Sequence, residues 1–217
     1  EHMQFKGTPT YNAQQLSEAF DDIGAQVNAF TGKDVTCYYS KSTAKRAGEA
    51  FDILSDLFLN ATYPEDEAVK EKEVICEERS MSEDTPDDVC LELLSTAMYG
   101  KEGYGRNILG PAENVRGFTK EMVDNYKARL YRPENMVVSF AGAIAFDDAQ
   151  KMVEKHFAKL EGGKFTPQRK TLDSQTSQLY KNKPIEQVHL ALGFSGYARG
   201  DERLEALQLA NTILGSG

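Results

Sequence analysis

The residues best suited to bind a metal or move a proton lie at two separate places in the sequence. Glu1 and His2 stand side by side at the start, and a long acidic stretch carries Glu71 and Glu78. Imidazole and carboxylate groups are among the ligands that zinc takes in proteins. A glutamate beside such a histidine can accept a proton from a water molecule whose pKa the zinc lowers to roughly 7. These residue types would allow metal-assisted hydrolysis if the fold brought the two places together.

Spacing alone does not single out the acidic ligands. Glu71 and Glu78 would lie two turns apart on one face of a helix, whereas Glu77 points about 100° round it. Because residues 65–83 are rich in Glu and Lys, the spacing by itself favours a solvated charged face over a metal site. By itself, a Glu1-His2 pair is typical of the surface of a helix.

The segments that must position these residues can be predicted from caps and periodicity. Residues 1–8 are typical of the last turns of a helix that Gly7 closes, and Asn12 can cap the next helix. Period-two alternation predicts a strand pair at 26–31 and 35–40 around a turn at 32–34. Helical spacing, caps and first-turn prolines predict further helices at 44–59, 64–83, 85–98, 119–130, 147–160 and 202–214.

The C-terminal part predicts a change of domain. Residues 136–141 and 188–194 are apolar and typical of short strands, and the polar stretch 162–178 is typical of a linker. We therefore predict an N-terminal half-domain at 1–162, a linker at 163–178 and the start of a homologous second half-domain at 179–217.

Three blocks of the sequence resemble the insulinase and mitochondrial-processing-peptidase family of inverted-motif zinc peptidases. Their order and separations agree with the family, and the resemblance covers essentially the whole chain, closest to short bacterial processing-peptidase-like members. The blocks are the run Glu1-His2-Met3-Gln4-Phe5-Lys6-Gly7-Thr8, similar to the second half of a His-x-x-Glu-His motif; residues 23–31, similar to the helix-to-strand segment; and residues 71–78 with 83–88, similar to the distal ligand helix.

The resemblance implies a role for each candidate residue. His2 and Glu78 would bind Zn²⁺, Glu1 would act as general base, and Glu71 would orient a ligand histidine. The strand edge Asn28, Ala29, Phe30 and Thr31 would bind an extended substrate as an added strand. The implied fold class is α+β, an antiparallel-rich sheet covered by helices. An ordinary edge strand remains the alternative for 28–31.

The resemblance also implies what lies outside these 217 residues. The first histidine of the motif would precede Glu1, and most of the C-terminal half would be absent. We therefore expect the 217 residues alone to hold two of three zinc ligands and to lack activity.

The expected function is that of a zinc metalloendopeptidase acting on extended peptides or presequence-like segments. A non-catalytic subunit or peptide-holding scaffold of the same fold is the alternative. Expected partners are peptide or unfolded polypeptide substrates, together with a homodimer partner or the missing C-terminal half. The net charge of −9 argues against nucleic acid, and no apolar run approaches the roughly 18–20 residues that cross a membrane.

The remaining histidines and the cysteines are expected to be structural. His156 and His189 lack a surrounding ligand pattern. Cys37, Cys76 and Cys90 form no CxxC pair, which favours free, buried thiols in a reducing compartment. Together with the resemblance to short bacterial family members, which implies a bacterial protein, this makes the bacterial cytoplasm the expected location in preference to a mitochondrial matrix.

Overall fold

The computed structural model describes residues 1–163 and 173–216. They form two compact units, one from Glu1–Met81 with the chain from Asn107 to residue 163, the other from Ser82–Arg106 with the described residues from 173 onward. The predicted boundaries at 162/163 and 178/179 stay a prediction, and residues 164–172 of the predicted linker lie outside the described residues.

The helices and strands follow one another as a mixed α and β chain. The helices are α1 (Ala13–Asp22), α2 (Ala47–Asn60), α3 (Glu65–Asp84), α4 (Pro86–Tyr99), α5 (Ala112–Gly117), α6 (Lys120–Leu130), α7 (Phe146–Phe157) and α8 (Leu204–Asn211), and the strands are β1 (Gln26–Thr31) and β2 (Thr36–Lys41). Shorter 3-10 turns span His2–Lys6, Ala44–Arg46, Gly103–Gly105 and Pro133–Asn135, and a π-helical turn, Thr212–Ser216, follows α8.

Local sequence signals explain where several helices begin. At α1, the Asn12 side chain accepts from the Gln15 amide while the Gln15 side chain accepts from the Asn12 amide, a reciprocal capping box. Pro86 occupies the first turn of α4, where its missing N–H costs nothing. Thr119 caps α6 by accepting from the Met122 amide.

The first unit packs around a hairpin and two helices. β1 and β2 are antiparallel with Thr31 opposite Thr36 and Gln26 opposite Lys41. The buried core joins α1, α2 and the entry to β1, and comprises Leu16, Phe20, Ala25, Ala50 and Leu57, with Phe5, Val27 and Tyr38 among the partly buried residues packed on it. The predicted α+β class, with helices covering an antiparallel sheet, is confirmed.

The first predicted helix is wrong in type. Residues His2–Lys6 form a 3-10 helix, which we call the motif turn, with the Gln4 amide bonded to the Glu1 carbonyl at 3.0 Å. Gly7 does end it, but at φ 133° rather than in a left-handed helical cap. A Cβ there would come within 3.1 Å of the Tyr11 carbonyl oxygen, so the chain reversal toward Asn12 requires glycine.

Two predicted strands are also wrong. Residues 136–141 and 188–194 find no ladder partner within 1–163 and 173–216. Apolar residues favour burial, yet a strand also needs a neighbour to take its backbone hydrogen bonds. Val137 and Val188 are accordingly 93% and 97% exposed. Helix α5 was not predicted because six residues are too few for a clear period.

Two further expectations can be checked in the described residues. Cys37, Cys76 and Cys90 are free thiols, and Cys76 is buried while the other two are partly buried. Among the residues that the structure describes, we find no helix with both the length and the apolar character needed to cross a membrane.

Candidate metal centre

Buried polar side chains fix the motif turn onto helix α2. The Gln4 amide donates to the Phe58 carbonyl at 3.0 Å, and its oxygen accepts from the Tyr63 hydroxyl. Just beyond the turn, the Thr8 hydroxyl donates to Asp56 at 2.6 Å. Gln4 and Thr8 are 3% and 8% exposed, so these bonds are shielded from competing water. These bonds therefore fix the position of the backbone that carries Glu1 and His2.

His2 is tied to helix α3 through a buried carboxylate. Its Nδ1 lies 2.8 Å from Glu71 Oε1, and the Lys6 ammonium forms an ion pair with the second oxygen of the same carboxylate. Burial pushes the pKa of Glu71 up, but the hydrogen bonds and charges of Lys6 and His2 outweigh it, so the pKa lies below its usual value. An ionised Glu71 only accepts, so the neutral imidazole would carry its proton on Nδ1 and its lone pair on Nε2.

Glu78 faces the other side of the same imidazole. Its Oε2 lies 3.6 Å from His2 Nε2, and its side chain is 53% exposed. Two donors on one tetrahedral zinc, each about 2.0–2.1 Å from it, stand roughly 3.3 Å apart. The pair therefore fits zinc in donor chemistry and in spacing. Within residues 1–163 and 173–216, no group of three His, Cys, Asp or Glu side chains completes a metal site.

The side chain of Glu1 is bonded to the β1–β2 hairpin. Its Oε2 accepts a hydrogen bond from the Thr31 hydroxyl at the end of β1. The Thr31 hydroxyl also lies 3.3 Å from that of Thr36, its partner across the hairpin. The side chain of Thr31 thus joins the end of β1 to Glu1, the residue just before the motif turn.

The outer edge of β1 has no strand beside it among the described residues. The Gly32 amide bonds to the Val35 carbonyl, which makes alternate pairs along the ladder hydrogen-bonded and turns the backbone groups of Ala29 outward. The Ala29 N–H is occupied by the Asn28 side-chain oxygen at 2.8 Å. Phe30 projects from the opposite face and is 52% exposed.

The structure therefore brings together the candidates that lie far apart in sequence. Glu71 and Glu78 meet His2, and Thr31 meets Glu1, whereas Asn28 bonds to the neighbouring Ala29 amide and the Phe30 ring lies beside Tyr39. Sequence reasoning missed Lys6 and Thr36. Lys6 follows His2 by four positions and could have been noticed as a same-side basic residue, and Thr36 as the cross-strand partner of Thr31.

The other two histidines pair with acids elsewhere. His156 Nε2 lies 2.6 Å from Asp52 Oδ1 in the first unit. In the second unit, His189 Nδ1 lies 2.7 Å from Asp87 Oδ1. Neither belongs to the candidate metal centre.

The fold and this pair of donors define an α+β protein with a candidate metal centre. Comparison with family profiles gives the family. The profile "Insulinase (Peptidase family M16)" matches residues 1–112, and the profile "Peptidase M16 inactive domain" matches residues 117–217. The chain belongs to the insulinase family, peptidase family M16.

Individual relatives agree with this assignment. The "uncharacterized zinc protease YmxG" of Bacillus subtilis is 44% identical over 99% of this chain and 52% of its own length. The "probable mitochondrial-processing peptidase subunit beta" of Arabidopsis thaliana is 33% identical over 100% of this chain and 42% of its own length. The chain thus spans about half the length of the curated relatives it matches.

Solved structures share the fold. A protease from Helicobacter pylori superposes with a TM-score of 0.73 at 20% identity, covering 81% of this chain and 42% of the other. The first half of the periplasmic protease PqqL from Escherichia coli gives 0.66 at 26% identity, covering 77% and 37%.

Proposed function

We propose that these residues form the catalytic half of a zinc metalloendopeptidase that hydrolyses extended peptides or presequence-like segments. The observation that carries the proposal is the placement of His2 between two carboxylates. Glu71 engages Nδ1 at 2.8 Å, and Glu78 stands 3.6 Å from Nε2, close to the spacing of two donors on one zinc. The relatives named zinc proteases support zinc as the metal.

Each residue has a distinct part in this proposal. His2 Nε2 and Glu78 would hold zinc together with the histidine that the His-x-x-Glu-His motif places ahead of Glu1. Zinc, when bound, polarises the peptide carbonyl and acidifies the attacking water. Glu1 takes the proton of that water and passes it to the leaving amine. Glu71 keeps the His2 ring in one orientation and one tautomer.

The substrate would bind along the open edge of β1. Ala29 turns its backbone N–H and C=O away from β2, so an extended peptide can pair with them and leave its side chains largely unread. The incoming carbonyl would replace the Asn28 oxygen on the Ala29 amide. Backbone pairing of this kind suits a peptidase acting on unfolded or presequence-like polypeptides. The peptidase would work as a homodimer or together with a C-terminal half. The free cysteines are consistent with the bacterial cytoplasm.

The second candidate is a non-catalytic subunit or peptide-holding scaffold of the same fold. It draws on the match of the "Peptidase M16 inactive domain" profile to residues 117–217, a stretch that holds none of the candidate metal ligands. Under this function the edge of β1 would hold peptide without cleaving it. A residue other than histidine at the first position of the motif would decide for the scaffold.

The test uses the full-length protein, its metal content and a quenched basic peptide. We expect about one zinc per chain, turnover that a chelator abolishes, and a Glu1→Gln variant that keeps its zinc while losing on the order of 10²–10⁴-fold in kcat. Glu186→Gln, an exposed carboxylate of the second unit, is the matched control and should match the wild type. Undiminished turnover in Glu1→Gln would exclude the general-base role, and peptide binding without cleavage would favour the scaffold.

A further inference from the structure

Two threonines face each other where the hairpin ends. Thr31 is the last residue of β1, Thr36 is the first of β2, and their hydroxyl oxygens are 3.3 Å apart. Because the next pair, Gly32 and Val35, is joined by a 2.8 Å backbone hydrogen bond, the threonines form a non-hydrogen-bonded pair. In such pairs the side chains approach most closely. The spacing of the two hydroxyls is therefore set by the ladder itself.

The two threonine side chains share a face of the sheet with residues that pack inward. Side chains alternate along a strand, so Val27 and Tyr38 lie on the same face as Thr31 and Thr36. Val27 and Tyr38 pack against the core, and the Tyr38 ring stands 6.3 Å from Phe5 of the motif turn. The hydroxyl pair thus belongs to the face that meets the motif turn.

The direction of the hydrogen bonds follows from the chemistry of Glu1. An ionised carboxylate only accepts, so the Thr31 hydroxyl donates to Glu1 Oε2. Having used its one proton there, the Thr31 oxygen can accept from Thr36. The result is a directed chain from Thr36 through Thr31 to the carboxylate. A hydrogen bond to an ionised group is shorter and stronger than one between neutral groups.

We propose that Thr31, itself oriented by Thr36, is a positioning residue that fixes the carboxylate of Glu1 for proton transfer, an inference that rests on the proposed function. A glutamate side chain has several rotatable bonds, and the reaction slows when its carboxylate moves away from the reacting water. Anchoring Oε2 to the strand end leaves Oε1 to receive the proton. Thr31 then has two separate parts, since its hydroxyl serves Glu1 while the backbone of β1 serves the substrate.

A purely structural reading of the same contacts is that the threonine pair stabilises the hairpin, as cross-strand pairs generally do. The two readings differ in what a variant changes. Loss of a positioning hydroxyl lowers kcat at unchanged KM and unchanged zinc affinity. Loss of a contact that only stabilises the hairpin lowers the unfolding midpoint and disturbs the edge of β1, which raises KM.

The experiment compares four variants of the full-length protein by kcat, KM, zinc affinity from chelator competition, and unfolding midpoint. Thr31→Val keeps the shape and removes the hydroxyl, Thr31→Ser keeps the hydroxyl, and Thr36→Val removes the second hydroxyl. Thr43→Val is the matched control, an exposed threonine in extended backbone whose side chain makes no cap hydrogen bond.

We expect kcat to fall on the order of 10- to 100-fold in Thr31→Val and by roughly threefold in Thr36→Val, with KM and zinc affinity within about twofold of the wild type. Thr31→Ser should recover most of the loss, and Thr43→Val should behave as the wild type. An active wild type with undiminished kcat in Thr31→Val would overturn the inference and leave the proposed function standing. A loss that Thr31→Ser does not recover, or that follows a lowered midpoint, would overturn it as well. A wild type that binds no zinc and cleaves nothing would refute the proposed function itself.

Discussion

The first unit contains two groups in which a histidine and a lysine share one carboxylate. In the first group, His2 and Lys6 both contact Glu71. In the second, His156 Nε2 lies 2.6 Å from Asp52, and Lys155 reaches both Asp52 oxygens at 2.8 Å. In both, burial raises the carboxyl pKa, but the hydrogen bonds and charges of the neighbouring lysine and histidine outweigh it, so the pKa lies below its usual value. The residue types alone would not tell a candidate metal centre from a helix-to-helix tie.

The surroundings of the imidazole separate the two groups. His2 has a second carboxylate, Glu78, 3.6 Å from its other nitrogen. The His156 ring instead stands edge-on to Phe51 at 5.9 Å, which joins α7 to α2. The Glu71 side chain is 9% exposed and that of Asp52 is 43% exposed. Under the proposed function, the buried Glu71 would orient the imidazole and the accessible Glu78 would bind the metal, whereas the contacts of Asp52 and His156 join α2 to α7.

The largest expected effect tests the second carboxylate. Glu78→Gln should weaken zinc binding by more than the roughly 10- to 100-fold that losing a partner of a ligand costs, since it removes a ligand itself. Glu77→Gln changes the adjacent exposed carboxylate, which points about 100° away, and should leave zinc affinity unchanged. Chelator competition on the full-length protein measures both. Equal losses in the two variants would mean that general negative charge, not a specific ligand, holds the metal.

Replacing the shared carboxylate in each group compares the groups directly. Glu71→Gln should lower zinc affinity by about 10- to 100-fold, because a neutral amide oxygen is a weaker acceptor for the His2 ring than a carboxylate and Lys6 loses its counter-charge. Asp52→Asn makes the same chemical change in the second group and should leave zinc affinity unaltered.

One result for Glu71→Gln and Asp52→Asn would contradict the distinction between the two groups. If Asp52→Asn lowered zinc affinity as much as Glu71→Gln, the effect would run through the stability of the unit, and the distinction between the two groups would fail. Unfolding midpoints of both variants, recorded without metal, separate the two causes.

These contrasts show what the sequence could and could not provide. Local signals predicted several elements correctly. The Asn12 cap, the strand Gln26–Thr31 and the helix that places Glu71 two turns before Glu78 all follow from periodicity and capping. The joining of His2 to α3 did not follow from spacing, because it depends on contacts between residues 69 and 76 positions apart. Only the family resemblance predicted that joining.

The misses have the same physical origin. The segments expected as strands at 136–141 and 188–194 are apolar, yet apolar character does not say whether a neighbouring strand exists to complete the ladder. Lys6 and Thr36 were overlooked because their partners, Glu71 and Thr31, become neighbours only in the folded unit. His156 was correctly placed on a helix away from a ligand pattern, but its acid partner is 104 positions distant.

The smallest expected effect concerns the second group and pH. The folded-state pKa of Asp52 lies below its unfolded value, since the hydrogen bonds and charges of Lys155 and His156 outweigh burial. Its contribution to stability is therefore present above the unfolded pKa of about 4 and is lost as the pH falls through the lower, folded value. Because the side chain is 43% exposed, solvent screening keeps the contribution to about 1 kcal/mol or less.

Urea unfolding of the metal-free protein at several pH values tests this expectation. The free energy of unfolding of the wild type should exceed that of Asp52→Asn between pH 5 and 7, and the difference should shrink toward zero as the pH approaches about 2. Glu186→Gln, which changes an exposed carboxylate outside the helices, is the control and should show almost no difference at any pH. A gap between wild type and Asp52→Asn that widens in acid would mean that Asp52 is destabilising when ionised, and the second group would then not be a tie between α2 and α7.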